Sequence, residues 1–97
     1  MIASFADTGT EDIYHLRVSK VALKTLPAEL HRIAKRKLNI IALASHLKDL
    51  KSPPGNCLEQ LKGKLTDHHS IRINDQWRII FIWKEGQAFE VQICDYH

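Results

Sequence analysis

A chain of 97 residues with a formal charge of +3 at pH 7 and a pI near 9.0 is long enough for one modest core and is mildly cationic. At 44% hydrophobic and 26% charged it is too apolar for a disordered chain, and it has no apolar run long enough to span a bilayer. Cys57 and Cys94 are too few and too far apart for a disulfide framework or a metal-ligating pair, and both are expected as reduced thiols. The start, "MIASFADTGTED", lacks the basic-then-apolar pattern of a signal or transit peptide, so the expectation is a single domain over residues 1–97 in the cytoplasm, without a membrane segment. Its mild positive charge favours a polyanionic partner.

In chain order, "MIASF" alternates loosely and predicts a short first strand. "ADTGTED" follows with Asp7, Thr8 and Thr10 as candidate caps for a short helix through "EDIYHLRV". The stretch "TLPAELHRIAKRKLNIIALASHLKDL" predicts one long helix with a cap at Thr25 and Pro27 near its first turn. Leu30, Ile33, Ala34, Lys37, Leu38, Ile41 and Ala44 share a face of it. The loop "KSPPGN" ends that helix. Alternation then replaces the helical repeat, predicting strands at "CLEQL", "HSIRI", "QWRIIFIW" and "AFEVQICDY". The turns between them are short and therefore require antiparallel neighbours. The predicted class is α+β, with an N-terminal strand and helices packed on a mostly antiparallel C-terminal β-sheet.

On the long helix, Arg32, Lys35 and Arg36 lie opposite the apolar stripe, as a solvated face or as an anion-binding one. In the strands, Ile71 and Ile73 share a face, as do Trp77, Ile79, Phe81 and Trp83, leaving Ser70, Arg72 and Arg78 on the other. A connection of Asn74, Asp75 and Gln76 joins these apolar faces and sets Arg72 across from Arg78. Like charges opposite one another repel, so this pair calls either for an anion such as phosphate between the guanidinium forks or for local carboxylates, Glu59 or Asp95.

The short "KEGQ" turn folds the last strand back so that "CDYH" ends near Arg78. His97 has a pKa suited to proton transfer near neutrality, Asp95 is placed to orient or polarise it, and Tyr96 offers a hydrogen bond or a stacking surface. With Arg78 to stabilise developing charge, the set fits phosphodiester cleavage without metal or cofactor. His68 and His69 are adjacent in a strand and point to opposite faces, so they do not chelate. The sequence has no metal cluster, phosphate-binding glycine loop or nucleophile elbow.

Taken together, "PPGNCLEQLKG", "HSIRINDQWRIIF" and "EVQICDYH" resemble the HigB branch of the RelE/ParE toxin superfamily. The likeness is close over the C-terminal half, looser at "MIASFAD", and in the helices between one of layout. It implies a RelE-like fold and a toxin of a type II toxin–antitoxin module. Such a toxin is a metal-independent endoribonuclease acting on mRNA in the A site of the 70S ribosome. The RNA 2′-hydroxyl attacks the adjacent phosphate, leaving a 2′,3′-cyclic phosphate. Carried over by motif, Arg78 is the phosphate stabiliser, Asp95, Tyr96 and His97 are catalytic or positioning groups, and Lys62 contacts phosphate. Glu59 stands where some relatives have histidine, so Glu59, Asp95 and His97 are all candidates for the general base; Cys57 stands where relatives often have arginine. Arg72 is a further phosphate contact, and Arg32, Lys35 and Arg36 are expected on ribosomal RNA. The implied partner is a HigA-like helix-turn-helix antitoxin, through which alone the complex would reach operator DNA. The alternatives are a ParE-like gyrase poison, against which Asp95, Tyr96 and His97 argue, and a catalytically inactive co-repressor module.

Overall fold

The computed structural model describes residues 1–65 and 67–95; Thr66, Tyr96 and His97 lie outside the described residues. Asp7 starts the first helix by accepting the Thr10 N–H at 2.6 Å, which satisfies one of the donors a helix start leaves open. This helix, α1 (Thr8–Tyr14), is followed by α2 (Lys20–Thr25), whose cap Ser19 accepts the Ala22 N–H at 3.0 Å. The same hydroxyl donates to Asp12 at 2.7 Å, tying the start of α2 to α1.

The predicted long helix is broken. Leu26 precedes Pro27, whose ring disfavours the helical region for the residue before it, and Leu26 is extended at φ −155°, ψ 139°. Thr25 therefore ends α2 instead of capping a new helix. A 3-10 turn over Ala28–Leu30 leads into α3 (His31–Leu43). At the far end, Asp49 accepts the N–H groups of Ser45 and His46 at 3.1 and 3.0 Å. That local bonding competes with continuation of the helix, and Leu47–Lys51 forms a separate 3-10 turn. The predicted face survives the breaks: Ala34, Lys37, Leu38, Ile41 and Ala44 are buried, and Leu30 and Ile33 pack against them partly exposed.

The sheet has the order β1 (Glu59–Gln60), β2 (His68–Arg72), β3 (Trp77–Lys84), β4 (Gln87–Asp95), with antiparallel neighbours throughout. "CLEQL" contributes only its middle, because a 3-10 turn at Pro54–Asn56 leads into it and puts Cys57 in the left-handed region. The β2–β3 connection is the predicted one: Asn74 Oδ1 accepts the N–H groups of Gln76 and Trp77 at 2.9 and 2.8 Å, and Arg72 pairs with Arg78.

Between β3 and β4 the register shifts after Ile82, leaving Glu90 and Val91 opposite Phe81, with Glu90 at φ 53°. This bulge puts Val91 and Ile93 on the same face as Ile79 and Phe81. It also explains why "MIASF" is not a regular strand. The segment bridges β4 in parallel at Ile2–Ala88 and Phe5–Val91, but between the bridges the Glu90 N–H turns to the Ser4 hydroxyl at 2.9 Å. Thr10, a predicted cap, instead accepts the Ile93 N–H at 3.0 Å and docks α1 on the sheet.

The core joins this sheet face to α1, α2 and α3, with Phe81, Ile79, Ile71, Leu38, Ile41 and Ile13 fully buried. Each such side chain contributes about 1.5–3 kcal/mol on burial.

Two expectations test this packing. A Cβ at Gly9 would lie 1.9 Å from Thr25 Oγ1 and 2.9 Å from its Cβ, so α1 crosses α2 too closely for any side chain. Overpacking outweighs the gain of about 1 kcal/mol in helix propensity, and Gly9→Ala should lose about 1–3 kcal/mol in chemical denaturation. His69 lies on the core face near Phe81, ring centroids 6.1 Å apart, and burial, with a smaller contribution from His68, holds it below its ordinary pKa of 6.5. The unfolded chain then binds more protons, so this contribution is complete above the unfolded pKa and is lost as pH falls through the lower, folded one. Thermal melts from about pH 7.5 to about pH 5 should show a smaller acid-side loss for His69→Phe than for the parent chain.

Candidate functional site

The sheet face away from the helical core carries Ser70 and Arg72 from β2 and Arg78 from β3. Period-2 alternation and the Arg72–Arg78 register place them there. Arg78 is only 6% exposed. Burying a guanidinium is costly unless its donors are satisfied. Its Nε donates to the fully buried Ser70 hydroxyl at 2.9 Å, and Nη2 donates to the Cys57 carbonyl at 2.5 Å and the Ser70 carbonyl at 3.4 Å. These bonds fix the plane of the fork.

Glu59 joins the same face because β1 pairs it with Ser70, and its carboxylate lies 3.8 Å from Arg78 Nη1. That is an ion pair rather than a hydrogen bond, and with the Glu59 side chain 51% exposed it is weakened by solvent. A carboxylate open to solvent thus lies beside a guanidinium held in a fixed plane.

Arg72, directly across from Arg78, is paired with Asp75 through Nη2 and Oδ1. The local carboxylate for Arg72 is thus Asp75, in the turn three residues on, and neither Glu59 nor Asp95. Asp95 pairs with Trp77, and its Oδ2 accepts from Gln76 Nε2 at 2.9 Å. Alternation puts it on the Trp77 face, so the structure does not bring it to the Arg78 side. Cys94 is the β4 residue opposite Arg78; burial pushes its thiol pKa up, with the Arg78 charge opposing. Tyr96 and His97 lie outside the described residues. Lys62 is exposed just beyond β1.

On α3, Arg32 and Arg36 are exposed, whereas Lys35 is half-buried with Nζ 4.0 Å over the Tyr14 ring. Such a cation–π contact at a partly exposed site contributes about 0.5–1 kcal/mol. Lys37, read from sequence as part of the apolar stripe, is buried and donates to Asn56 Oδ1 at 2.5 Å. Burial pushes its pKa down, with the Arg36 and Arg72 charges acting in the same direction and Cys57 in the opposite one. No local pattern in the sequence marks Asn56; the one signal was a lysine in an apolar stripe, which needs a buried polar partner.

The chain matches, over residues 3–97, the family described as the RelE-like toxin of type II toxin–antitoxin system HigB. It is 34% identical over 93 residues to Toxin HigB-1 of Vibrio cholerae serotype O1, covering 96% of this chain and 95% of that protein. Among solved structures, the fold is similar to the YoeB-YefM complex from Staphylococcus aureus, with a TM-score of 0.54 at 18% identity over 100% of this chain and 98% of that one. It is likewise similar to the YoeB/ParE toxin from Agrobacterium tumefaciens, with a TM-score of 0.53 at 17% identity and 100% of both chains covered. A family match across residues 3–97, together with a HigB relative aligned over nearly the whole length, means that this chain belongs to the HigB-like family of RelE-like toxins from type II toxin–antitoxin systems.

Proposed function

We propose that this toxin cleaves mRNA on the 70S ribosome and is neutralised by a HigA-like helix-turn-helix antitoxin. The observation that carries the reading is Arg78, buried on the sheet's polar face, its fork oriented by Ser70 and Cys57, with Glu59 alongside. With Nε and Nη2 holding the group in place, this reading gives Nη1, on the Glu59 side, the task of meeting a phosphate oxygen and stabilising the charge that grows there in the transition state.

In the reaction, the RNA 2′-oxygen forms a bond to the adjacent phosphorus as its proton passes to a general base. The bond from phosphorus to the 5′-oxygen breaks, and that oxygen takes a proton from a general acid. The products are a 2′,3′-cyclic phosphate and a 5′-hydroxyl, and no step requires a metal ion. Dependence on the 2′-hydroxyl gives preference for RNA over DNA. Among the three base candidates, the shared face with Arg78 favours Glu59 over Asp95. His97 remains a base candidate beside Glu59, as a proton-transfer group or a substrate contact, and Tyr96 is assigned as a group that stacks on or hydrogen-bonds the substrate.

Lys62, Arg72, Arg32, Lys35 and Arg36 are assigned to RNA phosphates, Arg32, Arg36 and Lys62 being exposed. Lys35 contributes less, being partly engaged with Tyr14. The ribosomal target implies work in the cytoplasm, and operator DNA is reached only through the antitoxin.

Arg78→Ala should reduce mRNA cleavage by about a hundredfold or more, at matched levels of folded protein. The measurement is the mapping of cellular mRNA ends after expression. Ends inside translated frames support the reading, and undiminished cleavage by the variant removes Arg78 from the site. Changing Arg32, Lys35 and Arg36 together to Glu should weaken ribosome association about tenfold or more, with steep salt dependence in the parent chain. Unchanged co-sedimentation across a salt series would return that stripe to an ordinary solvated face.

A further inference from the structure

Arg78's outer nitrogen takes its direction from a main-chain oxygen, that of Cys57, which belongs to a turn outside the regular strands. Cys57 is at φ 48°, ψ 53°, a region that residues bearing a side chain enter reluctantly. Its N–H donates to Pro54 O at 3.1 Å, and the residue before it is anchored more firmly still. Asn56 is fully buried; its Nδ2 donates to the carbonyls of Leu50 and Ser52, both at 3.2 Å, and its Oδ1 accepts from Lys37 Nζ at 2.5 Å. Lysine can only donate, so it dictates which end of the amide faces α3 and commits the other end to the two carbonyls. A methionine would fill the same stripe position on α3 without a polar head to satisfy. The lysine therefore does something packing does not require.

We propose that Lys37 and Asn56 are positioning residues that set the Arg78 guanidinium through the Cys57 carbonyl. This rests on the reading of Arg78 as the phosphate-stabilising group. The chain of contact is continuous: α3 holds Asn56, Asn56 holds the turn, the turn aims the Cys57 oxygen, and that oxygen holds Nη2 while the Ser70 hydroxyl holds Nε. Because the stabilising bonds must meet oxygens whose positions change along the reaction, tilting the fork affects the chemical step more than substrate binding.

The test uses the full-length chain acting on ribosomes programmed with a single A-site codon, with kcat and KM measured separately. Lys37→Met and Asn56→Ala should each lower kcat by about tenfold to a hundredfold with KM little changed, and Lys37→Arg should restore part of the loss. In nitrogen-15 NMR spectra, the Arg78 Nη2–H groups, which donate to the Cys57 carbonyl, should be slow to exchange in the parent chain and fast in both variants while the rest of the spectrum stays folded. If Asn56→Ala does not fold, Lys37→Met, which removes only the ammonium head, carries the test. In an Arg78→Lys background, Lys37→Met should cost nothing further. Full kcat in folded Lys37→Met, or additive losses in the double variant, overturns the positioning role. Full cleavage by Arg78→Ala overturns the underlying reading instead, so the two failures are told apart.

Discussion

Asn74 sets the register on which both faces of this sheet depend. By accepting the N–H groups of Gln76 and Trp77, its side chain holds the turn at the length that pairs Arg72 with Arg78 and Ile71 with Ile79. A slip of one residue in β3 would carry Ile79 and Phe81 out of the core and bring Arg78 into it. The same bonds therefore close the hydrophobic layer and create the polar one. The hydrophobic layer and the polar Arg78 face are on opposite sides of β3, and neither can be moved without the other.

The bulge at Glu90 plays the complementary part in β4. Without it, continuing the pairing from Trp83–Ala88 and Ile82–Phe89 would set Glu90 and Gln92 against Phe81 and Ile79. The extra residue reverses the alternation, so that Ala88, Val91 and Ile93 all reach the core. It also moves Asp95 from the Arg78 side to the Trp77 side and brings Cys94 across from Arg78. A packing requirement near the middle of the strand thus decides which of its last residues share a face with the arginine.

The breaks in the predicted long helix serve a related purpose. Pro27 separates the direction of α3 from that of α2, which crosses α1 closely over Gly9, and the stop at Ala44 frees Leu47–Lys51 and the turn at Pro54–Asn56 to wrap round to the sheet. The 3-10 turn over Leu47–Lys51 presents the Leu50 carbonyl to the Asn56 amide, which donates to it at 3.2 Å. The irregular backbone between α3 and β1 is what carries a carbonyl to Arg78.

What the sequence by itself determined was whatever depends on local period and turn chemistry. The alternation of "HSIRI" and "QWRIIFIW", the apolar face of α3, the Arg72–Arg78 pairing and the motifs that resemble HigB toxins were all legible, because side-chain direction repeats every two residues in a strand and every 3.6 in a helix. Only the tertiary structure decided the rest. The oxygen that aims Arg78 is a main-chain carbonyl, and main-chain groups have no letter in the sequence. Lys37 and Asn56 meet across 19 residues, beyond any local pattern. The bulge in "FEVQI" answers to what the facing strand needs, so the face given to Asp95 was settled only when β3 and β4 packed.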